Sequence, residues 1–224
     1  SKYLVGAIRN AELVSKIYPD FKCRFYYNCT VPNGIIFELE NLGAETVFIN
    51  ESDSYLGMLW RMLAFNDAEI VMVRDCDSRL NLREKWCVDE FLKSEFKFHS
   101  IKDHPAHMPF FVMPGLMCIK RTNLNWKKLI NDFLFENRNS NLNQYGIDYY
   151  FYTSIKSIIK DSLLIHGENK DILIKRKDLE FCGKVWDHEE KTVLEHEEIL
   201  RKWYLKELLS VAEMAKKVNV SQSK

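Results

Sequence analysis

Asp75 and Asp77 stand one residue apart in the stretch Arg74-Asp75-Cys76-Asp77-Ser78-Arg79, directly after the apolar run Ile70 to Val73. Two carboxylates so placed offer the hard oxygen donors that suit Mg²⁺ or Mn²⁺. Side chains one apart on an extended segment point the same way, so both could face one ion. In an open α/β sheet, ligands bind beyond the carboxyl ends of the strands, and the pair falls at such an end. A short acidic triplet also arises by chance, and a capped turn with solvated acids accounts for it as well.

Other segments carry groups that complement such a pair. Arg9 and Asn10 follow the apolar run Tyr3 to Ile8, and Arg61 lies upstream of the acids. Guanidinium forks match phosphate oxygens, although each arginine is equally at home in a surface salt bridge. Gly6 leaves room for a flat base or ribose near the backbone, or is an accident of packing. His104 and His107 sit three apart in Asp103 to Pro109, where prolines oppose the helix that a histidine metal pair would use. A polar loop lining a sugar site is the expectation there. Asp148 opens an aromatic-rich segment and reads either as a favourable charge at a helix N-terminus or as a carboxylate delivered into a cleft. His166 ends another apolar run.

The elements that must position these groups follow from hydrophobic periodicity. Strands are predicted at Tyr3–Ile8, Lys22–Tyr27, Glu45–Ile49, Ile70–Val73, Lys97–Ile101, Leu116–Lys120 and Ser162–Ile165, with another at Ile172–Lys175. Helices are predicted at Ala11–Tyr18, Pro32–Leu42 with Gly43 behind it, Tyr55–Phe65, Leu82–Lys93 capped by Ser78 or Asn81, Trp126–Glu136 and Ile147–Ile159. Asp103–Gly115 reads as an irregular loop and Asn137–Asn143 as a polar turn. Alternation of short apolar strands with helices predicts an α/β fold, with a Rossmann-like, mostly parallel central sheet flanked by helices. Residues 1–187 form one domain in this reading, with a nucleotide-binding half at 1–80 and an acceptor half at 81–187. Residues 188–224 carry charged helical periodicity and are expected as a helical C-terminal segment packed back on the domain.

Composition narrows the class. The chain has 32 basic and 32 acidic residues, so it lacks the basic excess of a nucleic-acid-binding protein. At 46% apolar it can bury a full core. Six cysteines occur without Cys-x-x-Cys spacing, which argues for reduced thiols in a cytoplasmic protein rather than a zinc knuckle or disulfide scaffold. No apolar run approaches the roughly 20 residues of a membrane-spanning helix. With Ser1 first and no initiator methionine, the chain reads as a domain excised from something larger.

Taken together, these segments resemble the nucleotide-sugar-dependent glycosyltransferases of the A-type fold. The likeness is strongest to a family found in bacteria and large algal viruses. It rests on Arg74 to Arg79, on Arg83-Glu84, and on the Asp-His-Pro-Ala-His loop at Asp103 to His107. It is looser after Lys120, and His166 is followed by Gly167 where relatives typically have aspartate. The resemblance implies a nucleoside diphosphate-sugar donor, with a UDP-sugar favoured. That donor is expected against Ala7, Ile8, Arg9, Arg61, Arg74, Asp75, Cys76 and His104. It further implies Mn²⁺ or Mg²⁺ on Asp75 and Asp77, with His166 as a further ligand, and transfer to a hydroxyl of a glycan or glycoconjugate. Inversion would need a base, for which Asp148 is the first candidate and Asp103 the second. The implied setting is the cytoplasm, that of the host if the chain is viral. Two other classes stay open. A nucleotidyltransferase of related fold is one, although the stretch after Gly6 lacks its glycine-rich phosphate loop. A non-catalytic interaction domain with a decayed site is the other.

Overall fold

The computed structural model describes residues 1–51, 55–138, 146–167, 172 and 181–191. The chain is α/β. In order it runs α1 (Lys2–Ile17), β1 (Arg24–Tyr27), α2 (Asn33–Asn41), β2 (Glu45–Phe48) and α3 (Gly57–Trp60), which tightens into a 3₁₀ turn at Arg61–Asn66. Then come β3 (Ile70–Arg74), α4 (Leu82–Lys93), β4 (Phe98–Ile101), β5 (Leu116–Lys120), α5 (Trp126–Glu136), α6 (Ile147–Ser154), α7 (Lys156–Ile159) and β6 (Leu163–His166).

The first predicted strand is overturned. Tyr3–Ile8 is not extended but forms the opening turns of α1. Gly6, Ala7, Asn10, Ala11 and Ile17 are buried, at helical spacing. A six-residue apolar run cannot be told from a buried helix by periodicity alone, and here the pattern continuing through Ile17 decides. Ala7, Ile8 and Arg9 therefore do not stand at the end of a strand.

The mostly parallel sheet is also corrected. β1 and β2 pair in parallel, Arg24 opposite Glu45, and form a sheet of their own. The second sheet has the order β3-β5-β4-β6. In it β5 runs antiparallel to both β3 and β4, and β6 runs parallel to β4. The cause is the connection from β4 to β5. Residues 102–115 hold only a short 3₁₀ turn at Pro105–His107, with no helix to carry the chain back for a parallel return.

Two helices predicted as continuous are broken. Tyr55–Phe65 splits at Trp60 into α and 3₁₀ turns, and Ile147–Ile159 breaks at Ile155 between α6 and α7. By contrast Leu82–Lys93 and Trp126–Glu136 form as predicted, and Asn81 caps the first by accepting from the Glu84 N–H at 2.8 Å. Most of the C-terminal helical segment predicted from His188 on, all of the strand at Ile172–Lys175 except Ile172, and most of the Asn137–Asn143 turn lie outside the described residues.

The largest core joins Met62 and Phe65 of the 3₁₀ turn, Val73 of β3, Met117 and Ile119 of β5, Trp126 and Phe133 of α5, and Phe151 and Tyr152 of α6. It crosses the line at residue 80, so both predicted halves share one interior. Among the described residues no helix is long and apolar enough to cross a membrane.

Candidate functional site

β3 delivers the acidic pair, but its last extended residue is Arg74. From there the chain turns. The Ser78 N–H and hydroxyl both donate to the Asp75 carbonyl, at 3.2 and 2.9 Å. The expectation of two carboxylates facing one way rested on an extended segment, and the turn removes that condition. The Asp75 carboxylate instead meets Arg61 Nη1 at 2.6 Å, whereas the Asp77 carboxylate meets Lys2 Nζ at 2.7 Å. Asp75 remains half exposed, and Asp77 is mostly buried.

Asp75 lies over the backbone of Gly115, just before β5. Any side chain at Gly115 would overlap the Asp75 carboxylate. Gly6 does the same service on the other side, since a side chain there would overlap the Cys76 carbonyl oxygen. The close approach that Gly6 permits is thus helix α1 against the acidic turn. Asn10 of α1 fastens it, donating to the Ser78 carbonyl at 2.9 Å and accepting from the Leu80 N–H at 3.2 Å.

Arg61 is the centre of the arrangement. Its Nε donates to the Met58 carbonyl at 2.9 Å, which aims the fork across the sheet end. Nη1 takes Asp75 and Nη2 takes Asp148, the latter at 3.1 Å. Burial opposes the guanidinium's charge, but the two carboxylates outweigh it and raise its pKa. Asp148 is delivered by α6, which starts after Gly146 at φ 93, a left-handed turn that glycine takes without strain. Only 4% of Asp148 is exposed. Burial pushes its pKa above the ordinary carboxylate range, Arg61 pulls it back in part, and Asp75 adds to the rise. The desolvating wall is aromatic. Tyr149 packs on Phe110 with ring centres 4.5 Å apart, and Tyr152 is fully buried with no hydrogen-bond partner for its hydroxyl.

The remaining predicted residues are brought elsewhere. Arg74 turns into the core, where Nε meets Glu84 at 2.7 Å and Nη1 donates to the Val73 and Met117 carbonyls. Tyr18 donates to the same Glu84 carboxylate at 3.1 Å. Ala7 and Ile8 pack with Leu39, Ala44 and Phe25. Cys76 joins that cluster, and burial, with Asp75 beside it, pushes its thiol up to about 11. Arg9 is on the outer face of α1, paired with Glu12 and Glu190. With Lys16, Arg79 and Trp186 it lines an open cavity of about 230 Å³.

Asp103 is buried and takes both arms of the Arg83 fork at 2.6 and 2.7 Å, plus the Cys182 N–H at 3.0 Å. His104 accepts from the Ala106 N–H at 3.1 Å and stacks near Phe181. Together these two pin the loop to the segment 181–184. His166 is buried at the end of β6, its Nδ1 2.8 Å from His99 Nε2 and its ring beside Trp86.

Two participants were not anticipated from the sequence, Lys2 on Asp77 and Gly115 under Asp75. Gly115 carried a signal in its place just before a strand, but nothing local named the carboxylate above it. As for a cation, among the described residues no three His, Cys, Asp or Glu side chains group around a common point. By chemistry the carboxylates of Asp75 and Asp77 suit a hard ion, since Mg²⁺ is commonly held by one or two carboxylates plus substrate phosphates, and Asp75, half exposed, is the one open to it, while Asp77 is engaged by Lys2. His166 does not fit, being closed in by His99 and Trp86. No protein-family model matches the chain, and no curated protein sequence matches it either.

Proposed function

We propose that this chain is a metal-dependent glycosyltransferase that moves a sugar from a nucleoside diphosphate-sugar, a UDP-sugar by preference, to a hydroxyl of a glycan or glycoconjugate, with inversion. One observation carries the reading. Asp75 and Asp148, from two distant parts of the chain, meet on the single guanidinium of Arg61. Their environments differ as an acid–base division requires. Asp75 is half exposed and open to a ligand, and Asp148 is desolvated with a raised pKa.

In this reading Asp148 accepts the proton of the attacking hydroxyl. A base working near neutrality needs a raised pKa, and burial supplies it. Arg61 orients Asp148 and presents positive charge where the diphosphate departs. Asp75 and Asp77 would hold Mn²⁺ or Mg²⁺, which when bound neutralises charge on the leaving diphosphate. Gly115 and Gly6 keep both flanks of the turn free of side chains, so its position is set by backbone contact.

The test is donor-dependent stabilisation. Thermal unfolding is followed with UDP-, GDP- and dTDP-sugars, each with and without Mn²⁺. Stabilisation is expected only with donor and metal together. Asp75→Asn should abolish that stabilisation. Asp148→Asn should keep it and lose transfer by orders of magnitude. If no nucleotide-sugar stabilises the chain with Mn²⁺, the reading fails. Retention of anomeric configuration in the product would remove the base role of Asp148.

A further inference from the structure

Arg83 and Cys87 are four residues apart on α4 and so share one face of that helix. The same face meets the segment at 181–184. The Arg83 fork holds both oxygens of Asp103, and one of those oxygens also accepts the Cys182 N–H at 3.0 Å. A turn closes there, with the Lys184 N–H donating to the Phe181 carbonyl at 3.2 Å and Gly183 in the left-handed region at φ 83. Phe181 stacks near His104 on one side, ring centres 4.4 Å apart. On the other, the Trp186 N–H donates to the Asp77 carbonyl at 2.8 Å. These anchors set Cys182 against α4.

There its side chain meets Cys87. The two residues share a core cluster with Ile101 and Leu116, and both are fully buried. Their thiols are hydrogen-bonded to one another. A pair already in sulfur contact needs only a small closing shift to reach disulfide geometry. The other four thiols are set differently. Cys29 is exposed, and Cys118 is buried in a separate cluster. Cys23 and Cys76 flank the cluster beneath α1, and each is partly exposed.

We propose that Cys87 and Cys182 form an oxidation site, at which a peroxide converts the pair to a disulfide that staples the 181–184 segment to α4. One thiol takes an oxygen atom from the peroxide to become a sulfenic acid, and water is released when the peroxide is hydrogen peroxide. The second thiol attacks that sulfur, the S–S bond forms, and the hydroxyl leaves as a second water. The two sulfurs give up two electrons, and the O–O bond of the peroxide takes them. Both sulfurs are fully buried, and burial keeps the Cys182 thiol protonated, so the pair reacts during local opening and more slowly than exposed Cys29. The staple also fixes the chain that carries Trp186 onto the Asp77 carbonyl, so oxidation braces one side of the acidic turn. The site is independent of the function proposed above.

The full chain is incubated with hydrogen peroxide under native conditions, quenched with iodoacetamide at intervals, and mapped by non-reducing peptide mass spectrometry. A Cys87–Cys182 peptide pair is expected within the monomer, appearing after Cys29 has reacted and separated by dithiothreitol. Closing so long a loop should raise the melting temperature by about 5 °C or more, and dithiothreitol should reverse the rise. Cys182→Ser should lose both the pair and the rise. Should that variant fail to fold, the peptide map of the parent chain still decides. A Cys23–Cys76 pair formed in its place would overturn the proposal. So would Cys87 and Cys182 left as free thiols, or oxidised separately, once Cys29 is fully oxidised. A bridge that forms only in urea would overturn it as well, because the folded chain would then have no part in pairing them.

Discussion

Arg61 sets the electrostatics of the site from one position, because its fork spends one arm on each carboxylate. That division fixes the pH behaviour expected of Asp148. Its pKa is raised by burial, so it holds its proton to a higher pH than an ordinary aspartate and works as a base only above that pKa. Transfer should therefore rise with pH through a step lying above the usual carboxylate value near 4. In Asp148→Asn the step should vanish from the pH–rate profile along with most of the rate, and an unchanged step would assign it to another group. Gly115 yields a second expectation at this scale. Gly115→Ala puts a methyl group into the Asp75 carboxylate, which must swing away from Arg61. Misplacement of a reacting group by about 1 Å costs roughly 10²-fold in rate. Turnover by Gly115→Ala should fall by about that factor with little loss in melting temperature, because Asp75 is half exposed and free to move.

At the scale of elements, α1 shows where sequence reading succeeds and where it stops. The helices α4 and α5 were legible in full, because each offers a long apolar periodicity, α4 with a readable cap at Asn81; the Asn125 cap of α5 came only with the structure. Tyr3–Ile8 was misread because six apolar residues fit a buried strand and a buried helix equally, and only the helical pattern continuing through Ile17 decides. The mixed sheet was not legible, since strand direction depends on the geometry of the 102–115 connection and not on the strands themselves. The contact of α1 with the acidic turn gives a prediction with two opposed terms. Gly6→Ala gains about 1 kcal/mol in helix propensity. It also drives a methyl group into a backbone carbonyl, and overpacking of this kind costs about 1–3 kcal/mol. The carbonyl belongs to a turn held by Asn10 and Ser78, so it yields poorly and the second term should win. Denaturant unfolding should show Gly6→Ala less stable than the parent chain; a gain in stability would show that the turn gives way freely.

Across the whole molecule, the parts of the site were legible but their partners were not. Asp75, Arg61 and Asp148 could be singled out because acids and arginines at the ends of apolar runs are informative on their own. Which arginine meets which acid is a long-range fact. Arg74 stands beside Asp75 in the chain yet pairs with Glu84, and Asp103 is claimed by Arg83 and by the Cys182 N–H. The six thiols are unbridged, as their spacing suggested, and they differ widely in setting: Cys29 is exposed and Cys76 is packed in the acidic turn. That second placement makes Cys76 a slow thiol. With a thiol pushed up to about 11, its reactive thiolate is only about 10⁻⁴ of the population at pH 7. The thiol is partly exposed, so this small thiolate fraction is what should set its alkylation rate. Cys29 supplies the reference rate in the same molecule. Timed iodoacetamide quenching with peptide mass spectrometry should find Cys29 modified promptly and Cys76 slower by several powers of ten. Comparable rates at the two thiols would mean that the Cys76 thiolate is far more populated than this setting gives.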